Sequence, residues 1–114
     1  MPYIQARLST KLDENQKSDL QSKLTDVVSL AFSKPKNYVM AEVQDECSLY
    51  MAGNKTEKGA YISVSLLGSA PKDKCNMVTQ KACEILSNEY GLDGSKVYIS
   101  FHPVELWGWN GMMF

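Results

Sequence analysis

Residues 61–66 read Tyr61-Ile62-Ser63-Val64-Ser65-Leu66, apolar and polar positions in strict alternation. That period of two is a half-buried strand, with Ile62, Val64 and Leu66 on one face. The same pattern has already occurred once, as Tyr3-Ile4-Gln5-Ala6-Arg7-Leu8. Each copy is followed by one amphipathic helix and a second strand. After the first copy, Asp13 with Gln16 three residues on is a capping-box start, and Leu20, Leu24, Val27, Val28 and Ala31 form one helical stripe. This helix stops near Ser33, because Pro35 disfavours helix at Lys34. Val39, Ala41 and Val43 then alternate with Met40, Glu42 and Gln44 as a strand. After the second copy, a helix starts near Pro71, carries Cys75, Val78, Ala82, Ile85 and Leu86 on one side, and ends at Gly91. Val97, Ile99 and Phe101 alternate with Tyr98, Ser100 and His102 as the fourth strand. Tyr3 to Tyr38 is a step of 35 residues and Tyr61 to Tyr98 a step of 37, so the chain is an internal duplication of one β-α-β unit.

Right-handed crossovers put both helices on the same side of one four-stranded mixed sheet, a two-layer α+β sandwich. Its buried faces are headed by Ile4, Val39, Ile62 and Val97. The other face carries Tyr3, Gln5, Arg7, Glu42, Tyr61, Ser63, Tyr98 and Ser100, a mixed surface that suits association with other copies. Residues 52–60, AGNKTEKGA, read as loop. The ending WGWNGMMF is an apolar tail that either folds onto its own core or lines a pocket or subunit contact.

The 114 residues predict one domain over 1–114. Twelve basic residues nearly balance thirteen acidic ones and are scattered, which argues against nucleic acid and membrane surfaces as partners. Nothing approaches a membrane span or a secretory signal, so the expected location is the cytoplasm, with a non-classical route as the way out of the cell. Cys47, Cys75 and Cys83 contain no C-x-x-C pair and, with the single His102, make no metal-ligand set. No metal or cofactor is expected. A Cys47–His102 nucleophile pair has no local motif behind it.

Pro2 has two readings. It is a stiff residue at the start of an edge strand, where its missing N–H does no harm, or, after removal of Met1, it is a terminal secondary amine able to act as a base. Position alone favours the first.

Three stretches change that balance: Met1-Pro2; Lys34-Pro35-Lys36-Asn37-Tyr38-Val39-Met40; and Val97-Tyr98-Ile99 with Gly108-Trp109-Asn110-Gly111 and Phe114. With Leu67-Gly68 closing the third strand, the chain resembles the macrophage migration inhibitory factor (MIF) family of the tautomerase superfamily over essentially its full length. The resemblance implies a homotrimer whose pockets lie at the subunit boundaries. It implies a cofactor-free keto–enol tautomerase acting on an aromatic α-keto acid such as phenylpyruvate, or on a dopachrome-type compound, with Pro2 as the catalytic base. Lys34 would lower the amine's pKa and bind the substrate carboxylate together with the backbone N–H of Leu67. Tyr38, Trp107, Trp109, Met113 and Phe114 would wall the ring, and Tyr98 would arrive from the adjacent subunit. Ser100 stands where better-known members have asparagine, and its shorter side chain puts contact with a ring hydroxyl in doubt. Trp107 replaces a commonly smaller residue, which narrows the pocket. Lys58-Gly59-Ala60-Tyr61 replaces the C-x-x-C of some members, so the corresponding redox role has no support. The family equally implies an alternative, a cytokine-like ligand of a receptor protein, with the pocket secondary. The β-α-β frame by itself would also allow a ferredoxin-like regulatory module that binds small ligands.

Overall fold

The computed structural model describes residues 1–114. Two β-α-β units are present, the first built from β1 (Pro2–Leu8), α1 (Glu14–Phe32) and β2 (Met40–Gln44). The second comprises β5 (Ala60–Leu67), α2 (Lys72–Tyr90) and β6 (Val97–Val104). Strand order is β2-β1-β5-β6, parallel within each unit and antiparallel where β1 meets β5. This is the duplicated mixed sheet expected from the two alternating stretches.

Local chemistry sets the helix ends. Asp13 accepts from the Gln16 N–H at 2.8 Å while the Gln16 side chain accepts from the Asp13 N–H at 2.9 Å. Capping of this kind is worth roughly 1 kcal/mol. α1 closes at Ser33 in the left-handed region (φ 54°), with the Lys34 N–H returning to the Ser29 carbonyl. Gly91 closes α2 at φ 70°, where a residue without Cβ is favoured.

The core lies between the helices and one face of the sheet. β1 and β5 bury every second residue, and the register sets Ile4 against Val64 and Ala6 against Ile62. Leu20, Leu24 and Val28 of α1 and Val78, Ala82 and Leu86 of α2 complete it, with no buried charged side chain. On the opposite face, Glu42 accepts hydrogen bonds from the Tyr3 hydroxyl and the Gln5 amide, both at 2.9 Å. No helix is long and apolar enough to cross a membrane.

Two segments are more ordered than the sequence reading gave them. The 52–60 loop begins inside a small hairpin, β3 (Tyr50–Met51) with β4 (Asn54–Lys55), turned by Ala52 and Gly53 at positive φ. The C-terminal segment is likewise a hairpin, β7 (Gly108–Trp109) with β8 (Met112–Met113). Asn110 (φ 51°) and Gly111 (φ 79°) make its two-residue turn, the Asn-Gly type I′ geometry that matches the twist of paired strands.

Candidate functional site

The start of β1, the residues leading into β2 and the C-terminal hairpin enclose a cavity of about 640 Å³. Pro2 is fully buried in its lining, and Met1, Tyr3, Asn37, Tyr38, Val39, Met40, Ser65, Trp107, Gly108 and Trp109 form the rest. Each wall has a local cause. β1 carries Pro2 into the sheet opposite Leu66. Pro35 turns the chain after α1 into a single 3₁₀ turn, Lys36–Tyr38, which presents Tyr38. The hairpin holds Trp109 edge-on to Tyr38 with ring centroids 5.6 Å apart, and Phe114 stacks on Trp109 at 5.7 Å. The Phe114 N–H donates to the Trp107 carbonyl at 2.9 Å, which ties the last residue back to the wall.

Lys34 adjoins the chain start. Its ammonium donates to the Leu67 carbonyl at 3.2 Å, and the Leu67 N–H donates to the Met1 carbonyl at 3.3 Å. With Met1 in place the Leu67 N–H is therefore already engaged, not free for a carboxylate, because Met1 prolongs the β1–β5 ladder by one residue. Burial first, and the Lys34 charge second, pull the Met1 terminal amine below its ordinary value. Both effects disfavour the ammonium form.

Of the residues singled out from the sequence, Pro2, Tyr38, Trp107 and Trp109 line one cavity. Lys34 and Leu67 adjoin it through the N-terminus, and Phe114 through its stack on Trp109. Met113 is exposed and lines a shallow depression of the hairpin with Asn110 and Met112, not the cavity itself. Tyr98 and Ser100 stand apart from this cavity within the protomer. Tyr98 is 67% exposed and lines a separate groove with Tyr50, Tyr61 and Lys96. Ser100 shares hydrogen bonds with the Tyr61 hydroxyl and, at 2.8 Å, with His102 Nε2. His102 is outside the cavity as well. The sequence reading missed Tyr3 and Ser65 as lining residues. The period-two alternation assigns both to the polar face, and their pairing across β1 and β5 shows that this face continues into the cavity.

The duplicated β-α-β sheet thus brings its first residues into an aromatic-walled cavity. This chain belongs to the macrophage migration inhibitory factor (MIF) family, whose pattern it matches over residues 1–114. It is 28% identical over 98 residues to macrophage migration inhibitory factor of Xenopus tropicalis, covering 83% of this chain and 84% of that one. It is 26% identical over 110 residues to D-dopachrome decarboxylase of Xenopus tropicalis, covering 94% and 90% respectively. The crystal structure of Leishmania major MIF2 superposes with a TM-score of 0.90 at 24% identity, covering 100% of this chain and 97% of that one, and so shares its fold. Membership supports a MIF-like tautomerase or cytokine role.

Proposed function

We propose that the protein is a cofactor-free keto–enol tautomerase of aromatic α-keto acids such as phenylpyruvate, with Pro2 as general base in a form that has lost Met1. The observation that carries this reading is the fully buried Pro2 in an aromatic-walled cavity, beside a lysine that depresses the neighbouring Met1 amine. A free α-amine has an ordinary pKa of about 7.7–8.0, and a prolyl amine starts higher. Burial and Lys34 bring it toward neutrality near working pH, where a general base is most effective. Once Met1 is gone, the Leu67 N–H loses its partner and, with the Lys34 ammonium, offers a donor pair to the substrate carboxylate. Tyr38, Trp107, Trp109 and Phe114 hold the ring. The prolyl nitrogen takes a proton from the carbon beside the carbonyl, the C–H pair becomes the C=C bond, and the carbonyl pair moves to oxygen, which is protonated. The reverse sequence returns the ketone.

The test is a phenylpyruvate tautomerase assay that compares the mature protein with one extended by residues ahead of Pro2. Extension converts the amine into an amide and is expected to abolish turnover. Intact mass of the active protein should correspond to loss of Met1, and full activity with methionine retained would contradict the mechanism.

The working form in this reading is a homotrimer, with Tyr98 supplied to the cavity by a neighbouring copy. Trp109, Met112, Met113 and Phe114 are exposed in the protomer, and β2 and β6 each leave one edge unpaired, which supports association. Light scattering should give about 38 kDa, three times 12.8 kDa. A stable, active monomer would refute the assembly.

A further inference from the structure

We propose that the turn Asn110-Gly111 is a site of spontaneous deamidation, and that its isoaspartate product loosens the wall of the cavity. Asn110 is the one asparagine of the chain followed by glycine; Asn15, Asn37, Asn54, Asn76 and Asn88 precede Gln, Tyr, Lys, Met and Glu. Both turn residues are exposed, and no hydrogen bond engages the Gly111 N–H. In a two-residue hairpin turn that N–H faces solvent, because the closing bonds run between the flanking residues, here Trp109 and Met112.

The chemistry needs only water. The Gly111 nitrogen, on losing its proton, attacks Asn110 Cγ; the new C–N bond forms and ammonia leaves, giving a five-membered imide. Glycine has no Cβ to obstruct that approach. Water then opens the ring. Attack at the former side-chain carbonyl gives aspartate, whereas attack at the main-chain carbonyl gives isoaspartate, in which the chain runs through Cγ.

The two products differ in what they do to the hairpin. Aspartate keeps the backbone length and tolerates the left-handed region that Asn110 occupies (φ 51°). Isoaspartate adds one atom to a two-residue turn, so Trp109–Met112 and Gly108–Met113 no longer pair in register. Trp109 is the shared member of both aromatic contacts, edge-on to Tyr38 and stacked on Phe114. Its displacement opens the cavity on that side.

The experiment ages the purified full chain at neutral and at mildly alkaline pH and maps isoaspartate by peptide mass spectrometry, with tryptophan fluorescence and near-UV circular dichroism as structural readouts. Conversion is expected at Asn110 before any other asparagine, faster at the higher pH, with a matching change in the tryptophan signals. Asn110→Asp should resemble fresh protein in both signals, and Asn110→Gln should resist ageing because its cyclisation forms a larger, slower ring. Conversion at Asn110 no faster than at the other asparagines would overturn the proposal, as would an isoaspartate form with unchanged tryptophan signals. None of these readouts depends on the reaction assigned to Pro2.

Discussion

Pro2→Gly is expected to lower kcat/KM for phenylpyruvate by about 10²–10⁴-fold, the usual worth of a positioned general base. Glycine keeps a terminal amine but makes it primary, and it removes the ring that fixes φ and fills the buried start of β1. Circular dichroism and the oligomeric state should stay as in the parent, because the β1–β5 ladder and the core beneath it are untouched. The measurement is steady-state kinetics on protein whose N-terminus has been verified by mass. Equal activity in variant and parent would move the base elsewhere. His102, the chain's one imidazole, would be tested next, although it stands outside the cavity.

Lys34→Ala should act through two separate effects. Loss of the ammonium removes half of the proposed carboxylate donor pair and raises KM; charged hydrogen bonds are typically worth about 1.5–3 kcal/mol, so an increase of roughly 10- to 100-fold is expected. The second effect is on the base. Lys34 depresses the pKa of the Met1 amine; acting likewise on the Pro2 amine of the proposed form, its removal lets that pKa rise, and the amine becomes neutral only at higher pH. The midpoint of the acidic limb in kcat/KM against pH, where the base loses its proton, must therefore move up. Burial is the larger cause of the depression, so the shift recovers only part of it. A midpoint that moves down would show that Lys34 does not act on the base.

The sheet and its order were readable because two alternating stretches, each with a capped helix and a second strand, leave few arrangements that obey right-handed crossovers. The ends of both helices were readable for the same kind of reason: Asp13, Pro35 and Gly91 act within a few residues of themselves. The C-terminal hairpin was missed although its signal is local. Asn110-Gly111 is the strongest two-residue turn signature, but the runs beside it are too short to show alternation. The cavity was legible in part. Pro2, Tyr38, Trp107 and Trp109, all singled out from the sequence, line one cavity, whereas Tyr3 and Ser65 could not be assigned to it, since their place depends on the register between distant strands. The engagement of the Leu67 N–H by the Met1 carbonyl is also a matter of register, one residue beyond what periodicity defines.

The antiparallel join of β1 to β5 gives the protomer an approximate dyad, and the dyad gives the cavity a twin. Met1, Pro2, Tyr3 and Met40 line one hollow; Gly59, Ala60, Tyr61 and Tyr98 line the other, at the far end of the sheet, in the same relative order. Ala60 is thus the counterpart of Pro2, but its nitrogen is a main-chain amide in every form of the chain, whereas that of Pro2 becomes an amine in the proposed form without Met1. Duplication copied the walls and could not copy the beginning. A polypeptide has one amino terminus, so of two hollows built to the same plan only one can ever hold a free amine.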